Sequence, residues 1–225
     1  MTPKSDKYAE FVEHPRYGRL PNITGLNPSP RYPEVRLHWN TTDHYELVAH
    51  FESMTGVKWP YGDAGRYSKR RRRIPNTAIL ADLSRQTPGT SAVTHYFDLE
   101  RECVDCGRPF IFFAAEQKHW YEELGFGLES DCVRCVECRK RQQGLARQCE
   151  TYESLFHVVQ KTVEQCLEMA DACLSLIESG VFSKKQTQRV RMLLNTVPDD
   201  ADVRKRSRCA NLVKRVLLTE EKSET

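Results

Sequence analysis

Apolar residues are distributed along the chain in three ways, and each predicts a different kind of structure. In the last third they recur at three-four spacing. Leu155, Val158, Val159, Val163, Cys166, Leu167, Ala170, Cys173, Leu174 and Ile177 would share one face of a long amphipathic helix that stops near Gly180. Cys166 and Cys173 on that stripe read as core residues, because free cysteine behaves as a small hydrophobe. Ser183 can cap a second helix carrying Val190, Leu193 and Leu194, which Pro198 ends. Asp199, Asp200 and Asp202 suit the start of a third, with Val203, Leu212, Val213, Val216 and Leu217. The chain from Glu220 onward should fray. In the middle the period changes to two. Val93, His95, Phe97 and Leu99 would lie on one face of a strand, and Pro109-Phe110-Ile111-Phe112-Phe113 reads as a second strand. Ala115–Gly125 reads as a short helix ended by Gly125.

The first ninety or so residues carry little period. Pro15, Pro21, Pro28, Pro30 and Pro33 lie too close together for long helices, since each fixes φ and lacks an amide donor. One helix is predicted, with Asp43 as cap, Tyr45, Leu47, Val48, Phe51 and Met54 on one face, and a stop near Gly56. Tyr8, Phe11, Tyr17, Ile23, Leu26, Tyr32, Val35, Leu37 and Trp39 are too many large apolar groups for a solvated linker. This arm is expected to be ordered by lying on the rest of the protein or on a partner. A short echo, Arg19-Leu20-Pro21-Asn22 and Arg73-Ile74-Pro75-Asn76, fits a Pro-Asn turn context and by itself predicts nothing more.

Composition narrows the class. The chain has 225 residues and 26.1 kDa, with 39% hydrophobic and 29% charged residues, which excludes collagen-like, mucin-like and wholly disordered proteins. No run approaches the roughly 18 apolar residues of a membrane span, and the first residues form no apolar signal core. The expected compartment is the cytoplasm, and no membrane partner is expected. A net charge of +3 is small, so charge matters only where it clusters.

Nine cysteines, an odd count, argue against a secreted disulfide framework. None precedes Cys103, and five lie between Cys103 and Cys138, whereas nine of the eleven prolines lie at or before Pro88. Cys103-Val104-Asp105-Cys106-Gly107 sits between the two middle strands as a hairpin tip, with Gly107 supplying the positive φ that folds backbone amides toward sulfur. Cys132, Cys135 and Cys138 then recur at every third position, after 28 residues that separate Cys106 from Cys135. Two Cys-x-x-Cys pairs predict one tetrahedral, all-thiolate zinc site. The second pair is either Cys132/Cys135 or Cys135/Cys138. The helix-forming stretch Arg139-Lys140-Arg141-Gln142-Gln143 would put Cys138 in a first helical turn, where the dipole favours thiolate, and so favours the latter. Four thiolates on one zinc leave a formal charge of −2, for which Arg134, Arg139 and Lys140 are candidate neutralisers. The aromatic groups nearby, Phe110, Phe112, Phe113 and Phe126, read as the core of a small domain, and His119 as a surface or core histidine.

The ordered set Cys103-x-x-Cys106-Gly107-x-Pro109-Phe110, Phe113-x-x-Glu116-Gln117, Tyr121, Gly125-Phe126 and Arg134-Cys135-x-x-Cys138-Arg139-Lys140 resembles the zinc-ribbon proteins of the zf-trcl type. The resemblance covers roughly residues 97–143. It implies zinc on Cys103, Cys106, Cys135 and Cys138, and it implies no reaction. The chain departs from the family in a longer Gly127–Asp131 approach and in the extra Cys132. The fold expected is α+β. A small four-cysteine zinc-ribbon or treble-clef-like module with a β-hairpin (93–145) follows an extended, Pro-rich N-terminal region (1–92) and precedes a helical region (146–219) and a frayed tail (220–225).

The densest charge is Arg66-Tyr67-Ser68-Lys69-Arg70-Arg71-Arg72-Arg73, six cations in eight residues with no acid. Such a run stays solvated unless an anion neutralises it, and phosphate is an anion arginine grips bidentately. Arg66, Lys69, Arg70, Arg71, Arg72 and Arg73 are therefore candidate nucleic-acid contacts, with Trp59, Tyr61 and Tyr67 near enough in sequence to stack on exposed bases. Lys184, Lys185, Arg189, Arg191, Arg204, Lys205, Arg206 and Arg208 could extend the basic surface or merely solvate helix faces. No duplex-reading recognition helix is recognisable, so RNA or a ribonucleoprotein is the favoured partner. The alternative is a protein–protein adaptor. An enzyme is not expected: neither a nucleophile–base motif nor a phosphate-cradling glycine loop is present, and Cys132 would be the one candidate nucleophile.

Overall fold

The computed structural model describes residues 6–29, 32, 34–38, 55–58, 71–87 and 92–221. It divides into two compact units, Met1–Arg139 and Lys140–Thr225. The helix expected over Asp43–Met54 lies outside the described residues. Among those described, no helix is long and apolar enough to cross a membrane.

The first unit is built on small antiparallel sheets. Strand β1 is Arg71–Arg73, β2 is Ile79–Leu80, β3 is His95–Tyr96, β4 is Leu99–Glu102 and β5 is Pro109–Phe112. Their orders are β1-β4-β5 and β2-β3. The hairpin β4–β5 pairs Leu99 with Phe112 and Glu102 with Pro109, so the Cys103–Gly107 turn stands at its tip. The alternation from Val93 does not yield one continuous half-buried strand. Tyr96, Phe97, Asp98 and Leu99 are all buried, and the strand breaks at Phe97-Asp98. The break has a local cause: the Asp98 amide donates to Thr77 Oγ1 (3.0 Å), a side chain, where a strand would offer a carbonyl.

After β5, helix α1 (Ala114–Lys118) widens into a turn over His119–Glu123, where the Leu124 amide reaches back five residues to His119 O (3.0 Å). Gly125, at φ 70°, then reverses the chain. Buried Gln117 donates through Nε2 to Phe97 O (2.6 Å) and Phe112 O (3.0 Å), which pins α1 to two strand carbonyls.

The N-terminal segment lies on this module. The Val12 amide donates to Pro109 O (2.8 Å) along the free edge of β5, and Phe11 packs with Ile74, Ile111 and Phe113. Further on, Thr24 donates to Asn76 O (2.8 Å) and Ala78 donates back to Leu26 O (3.1 Å). The chain just after the first Arg-aliphatic-Pro-Asn echo thus meets the end of the second. The two echoes are not equivalent turns, since Asn76 alone of the pair has a positive φ (62°).

The second unit is helical. Helix α2 (Val136–Phe156) begins at Arg139's end of the first unit and continues into the second; α3 is Val163–Glu178, α4 is Thr187–Leu194 and α5 is Val203–Glu221. The single long helix expected across Leu155–Ile177 is two helices. Thr162 Oγ1 accepts from the Gln165 amide (3.3 Å) while Gln165 Oε1 accepts from the Thr162 amide (2.9 Å), a reciprocal cap that starts α3 afresh and leaves Val159 exposed. Leu155, Leu167, Leu174, Ile177, Val190, Leu212 and Val216 share one core. Cys173 lies within it, its thiol pushed up to about 11 by burial. Helix α5 extends through Glu221, past the point where fraying was expected, and Arg191 meets Glu220 at 2.5 Å.

One buried carboxylate organises the first unit. Asp98 Oδ1 accepts from the Ala114 amide at the start of α1 (2.7 Å), and Oδ2 accepts from the Asn22 amide of the N-terminal segment (2.8 Å). Its carbonyl accepts from Ile74 (2.9 Å). Burial raises its pKa to about 6 against the pull of the two amides. The unfolded carboxyl titrates near 3.9, so the folded protein holds this proton more tightly, and the carboxyl's contribution to stability declines as pH rises from about 4 to about 6. Asp98→Asn removes that titration. Across the same window, the stability of wild type relative to this variant should fall by up to about 3 kcal/mol, read from denaturant melts at each pH. Asp98→Ala leaves both amides without their acceptor and should cost roughly 2–4 kcal/mol at neutral pH.

Candidate metal centre

The first half of the site is a tight turn. Gly107 (φ 70°) lets its own amide donate to Cys103 O (2.8 Å), while the Cys103 amide donates to Arg108 O (3.0 Å). The second half approaches alongside, fastened by the Val104 amide on Val133 O (3.0 Å). Cys135 stands immediately before α2 and Cys138 in its first turn, with Arg139 N on Cys135 O at 3.0 Å as the first helical bond. A hairpin-tip pair therefore faces a helix-start pair.

The four sulfurs of Cys103, Cys106, Cys135 and Cys138 lie within 4.8 Å of one another, and Cys106 Sγ is 3.9 Å from Cys135 Sγ. A tetrahedron with Zn–S of about 2.3 Å has S···S edges of about 3.8 Å, so the cluster is of the size that one ion fills. Cys103, Cys135 and Cys138 are buried and Cys106 is exposed. All four are free thiols, with no disulfide among them.

Their electrostatics call for a cation. Burial pushes the Cys103 thiol up, but the amides of Cys135, Cys106 and Asp105 outweigh it and hold the group near 6, well below the ordinary thiol range. Cys138 goes the other way: burial, then the three neighbouring sulfurs, push it up to about 12. Burial likewise raises Cys135. One thiolate is stabilised by backbone, and further ones repel it. A dication at the centre removes that repulsion and lets all four ionise. The cluster holds one metal ion, and a closed four-thiolate set is that of a structural zinc.

Cys132 is not part of the cluster. It is buried in the same apolar group, donates to Arg134 O (3.3 Å), and its thiol is pushed up to about 12 by burial. The choice between the two later pairs is thus resolved by position: Cys138 faces the other sulfurs and Cys132 the core. His119 bonds Glu123 Oε2 (2.6 Å) and lies outside the cluster.

The arginines beside the sulfurs each meet a carboxylate. Arg134 Nε bridges both oxygens of Asp105 (3.0 and 3.1 Å), and Arg139 reaches Glu116 Oε1 (2.6 Å) with its guanidinium 5.0 Å over the Trp120 ring. Lys140 is exposed. Arg108, which sequence reading passed over, pairs with Glu137, and its charge is further favoured by the Cys106 sulfur. Glu116 also lies 3.4 Å from His14 Nε2, so one buried carboxylate ties the N-terminal segment to the start of α2. Its signal in the sequence was the Glu116-Gln117 pair, visible as a motif without a role. Tyr121, fully buried, donates to Ser130 O (2.6 Å) and holds the returning loop.

The basic run is placed in part. Arg66, Lys69 and Arg70 lie outside the described residues. Arg71–Arg73 form β1, an edge strand whose partner is β4, with Arg72 opposite Glu100. Arg72 is exposed. Arg73 is half-buried, its guanidinium 5.0 Å from the centre of the Phe97 ring.

Residues 97–146 match the family model of a probable treble clef domain. No curated protein and no solved structure matches the chain.

Metal analysis of the purified protein should give one zinc per chain. Cys103→Ala, Cys135→Ala and Cys138→Ala should each abolish stoichiometric zinc, whereas Cys132→Ala should retain it, measured by elemental mass spectrometry. Stripping the ion removes a binding free energy on the order of 10–16 kcal/mol, so near-UV circular dichroism from the first unit's buried aromatic groups should collapse on chelation and return with zinc.

Proposed function

We propose that the zinc-pinned module is a rigid base from which the arginine run binds nucleic acid, with RNA or a ribonucleoprotein as the target. The observation that carries this reading is the entry of the run into the module's sheet as edge strand β1, with Arg72 exposed. A strand fixes alternate cations on opposite faces, which lowers the ordering cost of gripping a phosphate chain. The arginines at the metal centre are already matched by carboxylates, so the run is the better-suited site for a polyanion. The zinc site has no open ligand position, which fits a structural role and not hydrolytic chemistry.

A second reading, a protein–protein adaptor, is favoured by a different observation. Leu20, Ile23 and Leu26 of the N-terminal segment and Leu80 of β2 are exposed apolar side chains. Such groups suit a folded partner better than phosphate.

The two separate by salt. Arg73 is partly committed to Phe97, so the informative variant replaces Arg70, Arg71 and Arg72 with glutamine. If those three each neutralise a phosphate of single-stranded RNA, the plot of log K against log salt should flatten by about 2–3 units, measured by fluorescence anisotropy. An unchanged slope removes the run from the mechanism. A salt-insensitive protein complex lost on Ile23→Ser would favour the adaptor.

A further inference from the structure

Thiolate character and exposure together decide which cysteines react with oxidants, and the four metal ligands differ in the second. Cys103, Cys135 and Cys138 are buried, as is Cys132 beside them. Cys106 is the one exposed cysteine of the nine, all of which lie among the described residues. The hairpin tip around it, residues 104–108, is exposed throughout. Each ligand is a thiolate when the ion is bound, so Cys106 meets solvent in its reactive form. A second sulfur is within reach: Cys106 Sγ stands 3.9 Å from Cys135 Sγ. Cys103 is the poorer partner, because the amides of Cys135, Cys106 and Asp105 already donate to its sulfur.

We propose that Cys106 is a modification site for small peroxides, and that Cys135 resolves the oxidised sulfur into a disulfide that opens the metal centre. The Cys106 sulfur attacks one oxygen of hydrogen peroxide and the O–O bond breaks. The other oxygen leaves as hydroxide and takes up a proton, and Cys106 is left as a sulfenic acid. The Cys135 thiolate then attacks that sulfur, the S–O bond breaks, and the second hydroxide takes up a second proton. In sum, two thiolates, one hydrogen peroxide and two protons give one disulfide and two waters. The new bond draws the two sulfurs from 3.9 Å to about 2.05 Å and removes both from the ligand set. The two sulfurs that remain are too few for a structural zinc. Arg108 restrains the attack. Its guanidinium lies against the Cys106 sulfur and is held there by Glu137, and a donor on a thiolate lowers its nucleophilicity.

The zinc-loaded full chain is treated with hydrogen peroxide in the presence of a chromogenic zinc chelator. Samples quenched with an alkylating label report each cysteine by mass spectrometry. Zinc should leave in step with the loss of the Cys106 thiol, and the digest should contain a Cys106–Cys135 disulfide. Dithiothreitol with added zinc should restore the near-UV circular dichroism, which irreversible damage would not allow. Cys132→Ala should release zinc at the wild-type rate. Arg108→Ala should start with the wild-type zinc content and lose it about threefold faster, while Arg108→Lys should stay close to wild type. Zinc loss with Cys106 still reduced overturns the proposal, as does a peroxide that oxidises half-buried Cys149 or Cys209 while Cys106 and the zinc stay intact. A Cys103–Cys106 disulfide overturns the part assigned to Cys135. An unchanged or slower rate in Arg108→Ala overturns the part assigned to Arg108.

Discussion

Four sulfurs brought within 4.8 Å cannot all be thiolates unless a cation sits among them, and the first unit is arranged around that requirement. Its sheets are too short to stand alone: β4 and β5 have four residues each, and a hairpin of that size is marginal in water. The ion joins the hairpin tip to the first turn of α2 across the 28 residues between Cys106 and Cys135, and the intervening chain must leave and return. The buried polar groups of that excursion make the return specific. Gln117 fixes α1 to the strands, Tyr121 holds the loop at Ser130, Arg101 pairs with Asp131 beneath it, and Arg139 meets Glu116 as the chain enters α2. A metal supplies binding energy without choosing a path for the loop, whereas these bonds choose the path with modest energy each.

The charge around the ion is settled locally. Arg108, Arg134 and Arg139 lie by the sulfurs, and each has a carboxylate partner in Glu137, Asp105 or Glu116. A zinc with four thiolates carries two excess negative charges, and three arginines with three carboxylates leave that excess almost unaltered in sum while ordering it in space. The metal centre is therefore poorly suited to attract a polyanion. The same reasoning applies to the helical unit, where Arg191, Arg208 and Arg215 answer Glu220, Glu164, Asp171 and Glu178. The acids on α3 recur every seven residues and so stand in line on one face, which lets two arginines seven apart on α5 serve them all.

How far the sequence revealed this depends on the range of each interaction. The metal ligands were legible because Cys-x-x-Cys spacing is set within four residues, and for the same reason Ser183 was legible as a cap, although the turn it starts is Lys184–Gln186, ahead of α4. Choosing Cys138 over Cys132 needed only the inference that the helix-forming residues after Cys138 put it in a first helical turn. The Thr162-x-x-Gln165 cap was equally local, yet a continuous apolar period across Val158 and Val159 masked it; periodicity reports spacing and is blind to a break that preserves phase. Asp98 looked like the polar face of a strand. Its burial depends on Asn22 and Ala114, 76 and 16 residues away, and no window along the chain contains both. The N-terminal segment's apolar excess was visible, but whether it covered this protein or another was a question of tertiary contact.

Charge counting along the chain takes no account of where each cation's partners lie. Read linearly, the cations of the helical third could extend a basic surface or merely solvate helix faces. In three dimensions its arginines divide by partner. Arg208 and Arg215 of α5 are spent on acids of α3, whereas Arg204 and Arg206 are exposed. An anion-binding face concentrates cations and excludes apolar groups, whereas a helix–helix face borders an apolar seam with charges of both signs. The arginine run has no acid among its eight residues, and Arg72 stands exposed on a strand edge, which is why the proposed polyanion contact is placed there.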